Sequence, residues 1–139
     1  MGRIIGIDFG LKRTGIAVTD PLQMIASGLE TVATKDVEKW LERYVGSETV
    51  DCIVVGCPVM IDGSQSNTFT IFVLPFINRL KKKFPNLIID TFDERFTSIL
   101  AVRAMVEAGI KKKARRQKAN IDKMSATIML QGYLETIKK

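Results

Sequence analysis

The fold is decided by residues 3–19, RIIGIDFGLKRTGIAVT, which hold two apolar runs joined by a short polar turn. The first run, Arg3–Gly10, reads as a β-strand with Asp8 near its C-terminal end, and Gly15–Thr19 reads as a second strand. An ionised carboxylate in an apolar strand costs roughly several kcal/mol unless it is paired or bound to metal. Asp8 is therefore the first candidate for a chemical role.

Length and composition limit the classes of protein that fit. We expect a single domain over residues 1–139, because this length suffices for one ordinary core. Histidine is absent, which excludes histidine general bases, Ser-His-Asp and Cys-His nucleophiles and histidine-ligated zinc. We expect a cytoplasmic protein without membrane association, since the chain has no apolar stretch of membrane-spanning length. The net charge of +6 favours an acidic partner such as nucleic acid.

The two cysteines, Cys52 and Cys57, are not expected to form a disulfide. On an extended segment they lie about 16 Å apart, whereas a disulfide tolerates only about 4–7 Å between Cα atoms. Two thiolates also make no zinc site. We expect both residues to be small buried apolar side chains.

The rest of the chain predicts alternating helices and strands. Met24–Val32 predicts a third strand of an antiparallel meander, in which Gly28 permits a bulge. Apolar runs at Cys52–Gly56 and Leu87–Phe92 predict two more strands, the first covered on both faces as in a parallel sheet. Helices are predicted over 37–45, over 67–82 with an interruption at Pro75, from Thr97 or Ser98 to about Gly109, and along a final stripe of Ala126, Met129, Leu130, Tyr133, Leu134 and Ile137. This succession predicts an α/β fold with a mixed sheet and helices on both faces.

The predicted 67–82 helix is apolar nearly all round, more than packing on a sheet requires. The residues expected to face the sheet are Phe69, Phe72, Val73, Phe76 and Leu80. Ile71 and Leu74 then lie on the far side, beside Pro75. Because exposed apolar patches often mark interfaces, we expect a homodimer through this helix. The alternative is that the 57–66 segment covers the patch within the monomer.

Three acidic residues occupy positions that can converge. Asp8 ends the first strand, Glu94 or Asp93 follows the last strand, and Asp122 lies in the first turn of the final helix, on its apolar stripe. Carboxyl ends of parallel strands share one edge, so a helix crossing that edge could bring all three together. We expect Asp93 and Glu94 to point to opposite sides, so that only one reaches the site. Each acid could also be purely structural, since Asp favours helix N-termini.

Oxygen ligands without histidine or cysteine suit Mg²⁺ or Mn²⁺. Such an ion can activate a water and stabilise the leaving oxygen of a phosphodiester. Basic residues occur close by in the sequence. Residues 111–118, here called the basic arm, carry six cations: Lys111, Lys112, Lys113, Arg115, Arg116 and Lys118. The basic arm predicts sequence-independent phosphate binding, the alternative being a solvated loop.

Further cations lie beside the predicted carboxylates. Lys12 and Arg13 follow Asp8 in the first turn, where they either hold a substrate phosphate or only solvate the hairpin. Arg95 follows Glu94 directly. We expect Lys12, Arg95 and the basic arm to position the phosphates of a nucleic acid.

Four ordered motifs extend over nearly the whole chain. They are Asp8-Phe9-Gly10 with Lys12, Gly15 and Ala17; Val55-Gly56-Cys57-Pro58 with Asp62-Gly63; Asp93-Glu94-Arg95 with Thr97-Ser98; and Lys118 through Asp122, Ala126 and Leu130. The set resembles the YqgF-type Holliday junction resolvases, also described as nucleases that mature precursor small-subunit ribosomal RNA. The resemblance implies a ribonuclease H-like fold with strand order 3-2-1-4-5, strand 2 antiparallel, and metal ligands at Asp8, Glu94 and Asp122.

The leading interpretation is a Mg²⁺- or Mn²⁺-dependent endonuclease that acts on structured nucleic acid, with precursor ribosomal RNA favoured over a four-way DNA junction. Water is then the nucleophile, held between Asp8, Glu94 and Asp122. A non-catalytic ribosome-assembly factor that binds nucleic acid is an alternative. Half of an actin-like or sugar-kinase ATPase is a further alternative, although one domain of this length cannot enclose a nucleotide between two lobes.

Overall fold

The centre of the protein is a five-stranded mixed sheet of order β3-β2-β1-β4-β5. The computed structural model describes residues 2–57, 67–93, 106, 107, 109 and 118–137, with side chains in the last range from residue 121 onward. The strands are β1 (Arg3–Asp8), β2 (Arg13–Thr19), β3 (Ala26–Ala33), β4 (Val50–Cys57) and β5 (Ile88–Asp93). β4 runs parallel to β1 and β5, whereas β2 is antiparallel to both β1 and β3. The predicted strand order and strand 2 orientation are confirmed.

The predicted bulge near Gly28 is present in the edge strand. Ala17 pairs with Gly28 and Ile16 with Glu30, so Leu29 has no directly opposite partner in β2. A bulge of this kind bends the strand and interrupts regular pairing. It therefore shortens the flat part of an edge that could otherwise pair with another chain.

The described helices are α1 (Val37–Ser47), which a short 3-10 helix (Thr34–Asp36) precedes, α2 (Leu74–Lys83) and α3 (Lys118–Ile137). A π-helical segment, Phe69–Val73, leads directly into α2. Pro75 lacks an amide hydrogen, so the α-helical bond to the carbonyl of Ile71 cannot form. The predicted interruption at Pro75 is thus observed as a change from π to α geometry.

Two cores lie on opposite faces of the sheet. The core beneath α1 and α2 is made mainly of branched aliphatic residues: Ile5, Ile7, Ile16, Val18, Val37, Leu41, Ile53, Val55, Val73 and Leu80, with Phe69, Phe76, Ile77 and Val50. The core beneath α3 contains Ile4, Ala17, Ala26, Cys52, Val54, Ala126, Met129, Leu130, Tyr133 and Leu134. Helices therefore cover both faces, as predicted from the succession of elements.

Two residues predicted to be buried are exposed. Phe72 is 45% exposed, because the stripe of the 67–83 helical segment that meets the sheet runs through Phe69, Val73, Phe76 and Leu80. Ile137 is 47% exposed. The last three residues of α3 are all exposed, so the helix extends past the core at its C-terminal end.

Some predictions lie outside the described residues. These are Glu94, Arg95, the start of the predicted third helix at Thr97 or Ser98, and the side chains of the whole basic arm. Gly109 is described, and its φ of 77° with an N–H···O bond to Val106 is typical of a helix end. Neither cysteine is in a disulfide. In the part of the chain that the structure describes, no helix is long and apolar enough to cross a membrane.

Candidate active site

Three strands end at the same edge of the sheet. Ile7 of β1 lies level with Val55 of β4, which in turn lies level with Thr91 of β5. The three parallel strands therefore end at Asp8, Cys57 and Asp93. Loops that follow the carboxyl ends of such strands are the usual place for a site in α/β sheets.

Asp8 lies on the α3 face of this edge. Side chains alternate along a strand, and Ile4 belongs to the α3 core while Ile5 and Ile7 belong to the opposite one. A Cβ at Gly6 would meet the side chain of Leu130 in α3. Asp8, two residues further, has the same parity, and its side chain is partly exposed.

Asp122 is brought to Asp8 through a glycine. Gly15 is the residue of β2 directly opposite Asp8. A Cβ at Gly15 would overlap the carbonyl oxygen of Asp122, in the second turn of α3. Because that obstacle is backbone and cannot rotate away, only glycine lets α3 approach this closely. The approach brings the backbone of Asp122 next to the residue that pairs with Asp8.

Arg13 contacts Asp122 directly. Its Nε donates a hydrogen bond to Oδ2 of Asp122 across 3.2 Å, and the two residues are 109 positions apart in the chain. Arg13 has the same strand parity as Gly15 and Ala17, which explains why it reaches α3. Sequence reasoning placed Arg13 in the turn as a phosphate contact or a solvated residue and missed this partner, because nothing local links the two positions.

The turn that carries Lys12 is held by a threonine pair that sequence reasoning also missed. Thr34 donates from Oγ1 to the carbonyl of Gly10 (2.6 Å), and its backbone N–H donates to the carbonyl of Lys12 (3.0 Å). The hydroxyl of Thr14, fully buried, lies 2.9 Å from that of Thr34. Lys12 itself is exposed. The turn is thus fixed to the scaffold while its cation faces solvent.

Asp93 lies on the other face from Asp8. It has the parity of Ile89, which packs on the α1 and α2 side, whereas Phe92 packs against the α3 core. Of the pair Asp93 and Glu94, Asp93 therefore faces away from Asp8. The next residue along the chain is Glu94, which lies outside the described residues.

The donor set fits a hard divalent cation as far as it is described. Asp8 and Asp122 offer carboxylate oxygens, the ligands that Mg²⁺ and Mn²⁺ prefer. Among the described residues no three His, Cys, Asp or Glu side chains form a metal-holding group. The Oγ of Ser125, one turn beyond Asp122, is buried without a hydrogen-bond partner in these ranges.

A second polar cluster anchors α3 further along the sheet. Tyr133 donates its hydroxyl hydrogen to Oδ2 of Asp90 across 2.8 Å, and Phe92 packs edge-on against its ring. Burial raises the pKa of Tyr133. Burial likewise raises the pKa of the neighbouring Cys52 thiol to about 11, so it remains protonated. These groups fix the helix rather than supply a nucleophile.

Comparison with known proteins identifies close relatives along the full chain. A family model described as "RuvX: Holliday junction resolvase" matches residues 2–136. A protein of Phocaeicola vulgatus is 49% identical over 138 residues, covering 99% of each chain, and one of Bacteroides thetaiotaomicron is 50% identical over 136 residues, covering 98% of each. Both bear the name "Putative pre-16S rRNA nuclease".

The fold has a counterpart among solved structures. The crystal structure of the fowlpox virus Holliday junction resolvase matches with a TM-score of 0.58 over 97% of this chain and 99% of that one. The sequence identity is 12%, so the match supports the fold alone.

Proposed function

Because this chain belongs to the RuvX family of Holliday junction resolvases, we propose that it is a metal-dependent endonuclease that hydrolyses phosphodiester bonds in structured nucleic acid. The observation that carries the proposal is the close approach of α3 to Gly15, directly opposite Asp8. That approach gives Asp8 and Asp122 a common edge and a common face. An apolar scaffold has no structural need for two acids there.

Asp8, Asp122 and Glu94 are the proposed catalytic residues and ligands of Mg²⁺ or Mn²⁺. When bound, such an ion supplies a water of lowered pKa and charge stabilisation for the leaving oxygen. Asp8 is held by the end of β1, and Asp122 by its place in α3. Two ligands on rigid elements are thus oriented before the metal arrives, which reduces the reorganisation needed for catalysis.

The proposed phosphate contacts are the cations that the sequence places in the first turn, after Glu94 and in the basic arm. They are Lys12, Arg95, Lys111, Lys112, Lys113, Arg115, Arg116 and Lys118. The assignment of Lys12 as a phosphate contact is supported by the geometry of its turn, which Thr34 fixes through hydrogen bonds to two carbonyls. The assignment of the basic arm as a phosphate contact rests on its charge alone.

Neutralising the first five cations of the basic arm should weaken nucleic-acid binding and lower the slope of log affinity against log salt by about 0.9 per lost contact on duplex DNA. An unchanged slope would leave the basic arm as a solvated loop.

The proposed substrate is the precursor of small-subunit ribosomal RNA, as in the name that the bacterial relatives bear. The family description favours a second candidate, resolution of a four-way DNA junction. Each substrate offers the structured phosphate backbone that a carboxylate-and-cation edge recognises. We place the protein in the cytoplasm, where such substrates occur, as one domain over residues 1–139.

Cleavage assays on both substrates test the proposal. Purified protein is incubated with a precursor ribosomal RNA transcript or a four-way DNA junction, in Mg²⁺ or in EDTA, with Asp122→Asn as the inactive control. We expect Mg²⁺-dependent cleavage of the transcript. Cleavage of the junction alone would favour the second candidate. Binding of either substrate without cleavage in Mg²⁺ would favour the non-catalytic assembly factor. Ribosomal RNA profiling after depletion in cells then tests the substrate independently.

We also propose that the protein forms a homodimer through the 67–83 helical segment. Ile71, Phe72 and Leu74 are 60%, 45% and 40% exposed, which is unusual for adjacent large apolar side chains. Of the 57–66 segment, named above as an alternative cover, residues 58–66 lie outside the described residues. Sedimentation at micromolar concentration should show a dimer that Ile71→Glu with Leu74→Glu dissociates. A strict monomer would remove this proposal and weaken two-strand junction cleavage.

A further inference from the structure

We propose that Arg13 is the counter-ion of Asp122 in the metal-free protein, and that metal binds tightly only when a substrate phosphate takes Arg13 away. This rests on the proposed function, because it concerns the same carboxylates. It assigns to Arg13 a role distinct from the phosphate contacts named above. Arg13 would hold Asp122 in one state and the substrate in the other.

The contact itself is specific. Nε of Arg13 lies 3.2 Å from Oδ2 of Asp122, and the side chains are 39% and 25% exposed. It joins the first residue of β2 to α3, directly beside the close approach at Gly15. A partly enclosed pair is screened less by water and salt than an exposed one. It therefore opposes any second cation at that carboxylate more strongly than a surface pair would.

Removal of Arg13 should strengthen metal binding for two reasons that act in the same direction. The carboxylate no longer has to break a charge-assisted bond before it binds an ion. The repulsion between the guanidinium and a nearby dication also disappears. Electrostatic interactions of this kind correspond to about a threefold to tenfold gain in affinity.

A phosphate diester can compete for Arg13, since the guanidinium fork matches phosphate as well as carboxylate. Arg13 adjoins Lys12 in the fixed turn, so phosphate oxygens bound by Lys12 lie within its neighbourhood. Once the phosphate accepts the guanidinium, Asp122 becomes available to metal. By linkage, substrate then raises metal affinity through Arg13 and metal raises substrate affinity by the same factor.

Metal binding is measured with Mn²⁺ alone, by the electron paramagnetic resonance signal of the free ion. Wild type is compared with Arg13→Gln, with Arg13→Lys and with Arg79→Gln. Arg79 is a matched control, because its Nε also lies 3.2 Å from a carboxylate oxygen, that of Glu38, away from the site. Thermal melts in EDTA show that each variant is folded.

We expect Arg13→Gln to bind Mn²⁺ about threefold to tenfold more tightly than wild type. Arg13→Lys keeps the charge and should stay within about twofold of wild type, as should Arg79→Gln. If wild type binds Mn²⁺ and Arg13→Gln binds it equally or more weakly, the inference on Arg13 is overturned while the proposed function stands. If neither wild type nor Arg13→Gln binds Mn²⁺, both the inference and the proposed function are overturned.

Nucleic-acid binding in EDTA tests the second half of the inference without any metal. Asp122→Asn should release Arg13 and tighten binding of an RNA hairpin. The same substitution made in an Arg13→Gln background removes only the carboxylate charge. We expect the gain to be about threefold larger when Arg13 is present. Equal gains in the two backgrounds would overturn the proposed exchange.

Discussion

The face of the sheet beneath α1 and α2 is filled with branched aliphatic side chains, whereas the face beneath α3 carries Gly6, Gly15 and Ala17 along its two central antiparallel strands. Bulky side chains hold a helix at a distance and bury much apolar area. Glycine and alanine allow a helix backbone to come into contact with the sheet. The face beneath α1 and α2 therefore contributes mainly to the stability of the fold. The other face mainly determines how closely α3 approaches the sheet.

The described acids of the candidate active site, Asp8 and Asp122, and the arginine that contacts one of them lie on the second face or at its edge. Asp8 and Arg13 have the parity of Gly6 and Gly15, and Asp122 belongs to the helix that these glycines admit. Asp93 lies on the first face, away from these residues. The difference teaches that the position of the acids depends on small residues that contribute little apolar burial of their own.

The largest expected effect is on the acids themselves. Asp8→Asn, Glu94→Gln and Asp122→Asn should each reduce cleavage to background while the protein stays folded. Removal of one carboxylate from a repelling group can even raise the melting temperature without metal. Asp93→Asn is the matched control, since Asp93 lies on the opposite face, and it should be mild. Full activity of any of the first three at equal Mg²⁺ would exclude that residue from the site.

The next effect tests the closeness of α3. Gly15→Ala should lower cleavage by about 100-fold, because a displacement of about 1 Å at reacting groups has that consequence. It should also destabilise the fold by about 1–3 kcal/mol through overpacking. The measurement is single-turnover cleavage together with urea unfolding.

Gly46→Ala is the matched glycine control for that substitution. A Cβ at Gly46, near the end of α1, would meet nothing within 4 Å. The change should therefore stabilise the protein by about 0.5–1 kcal/mol and leave cleavage unaltered. If Gly15→Ala behaves like Gly46→Ala, the contact between α3 and β2 is not needed for activity.

A substitution in the core beneath α1 and α2 should lower stability and have little effect on cleavage. Leu41 in α1 is fully buried in the aliphatic core. Leu41→Ala should lower the free energy of unfolding by about 2–5 kcal/mol, yet cleavage per folded molecule should remain within about twofold. Leu22→Ala, at a position 66% exposed, serves as the control and should change stability by less than about 0.5 kcal/mol. A selective loss of activity in Leu41→Ala would show that the two faces are not separable.

The smallest effect concerns the two cysteines, one on each face. Cys52 is 5% exposed beneath α3, and burial raises its pKa to about 11, so little thiolate exists at pH 8. Cys57, at the edge of the other face, is partly exposed. Iodoacetamide at pH 8 should modify Cys57 and leave Cys52 unmodified until guanidinium unfolds the chain.

The raised pKa of the Cys52 thiol also predicts how the stability of the protein changes with pH. Because folding raises the pKa of Cys52 above the ordinary value of 9.0, its contribution to stability is fully present below pH 9. It is lost as the pH rises from 9 toward about 11, where the unfolded thiol ionises first. Equal labelling rates for Cys52 and Cys57 in the native protein would contradict this account of the face beneath α3.

Most of the elements followed from the sequence, because hydrophobic periodicity reports local geometry. The alternation along β1, the bulge near Gly28 and the interruption at Pro75 each depend on residues within a few positions of one another. For Phe72 the prediction of burial from local spacing was wrong. Its spacing fits the buried stripe of an α-helix, but the π-helical segment before Pro75 shifts the stripe and leaves it 45% exposed.

The sequence by itself determined that Asp8 stands at the end of an apolar strand, that Asp122 lies early in an amphipathic helix, and that no histidine can take part. Only the tertiary structure decided that α3 rests on Gly15, that Arg13 bonds to Asp122 across 109 positions, and that Thr34 holds the turn of Lys12. The physical reason is the separation along the chain between the residues that interact. Strand and helix patterns arise between near neighbours, whereas contacts between distant segments depend on how closely side chains of different sizes let the helix and the sheet approach.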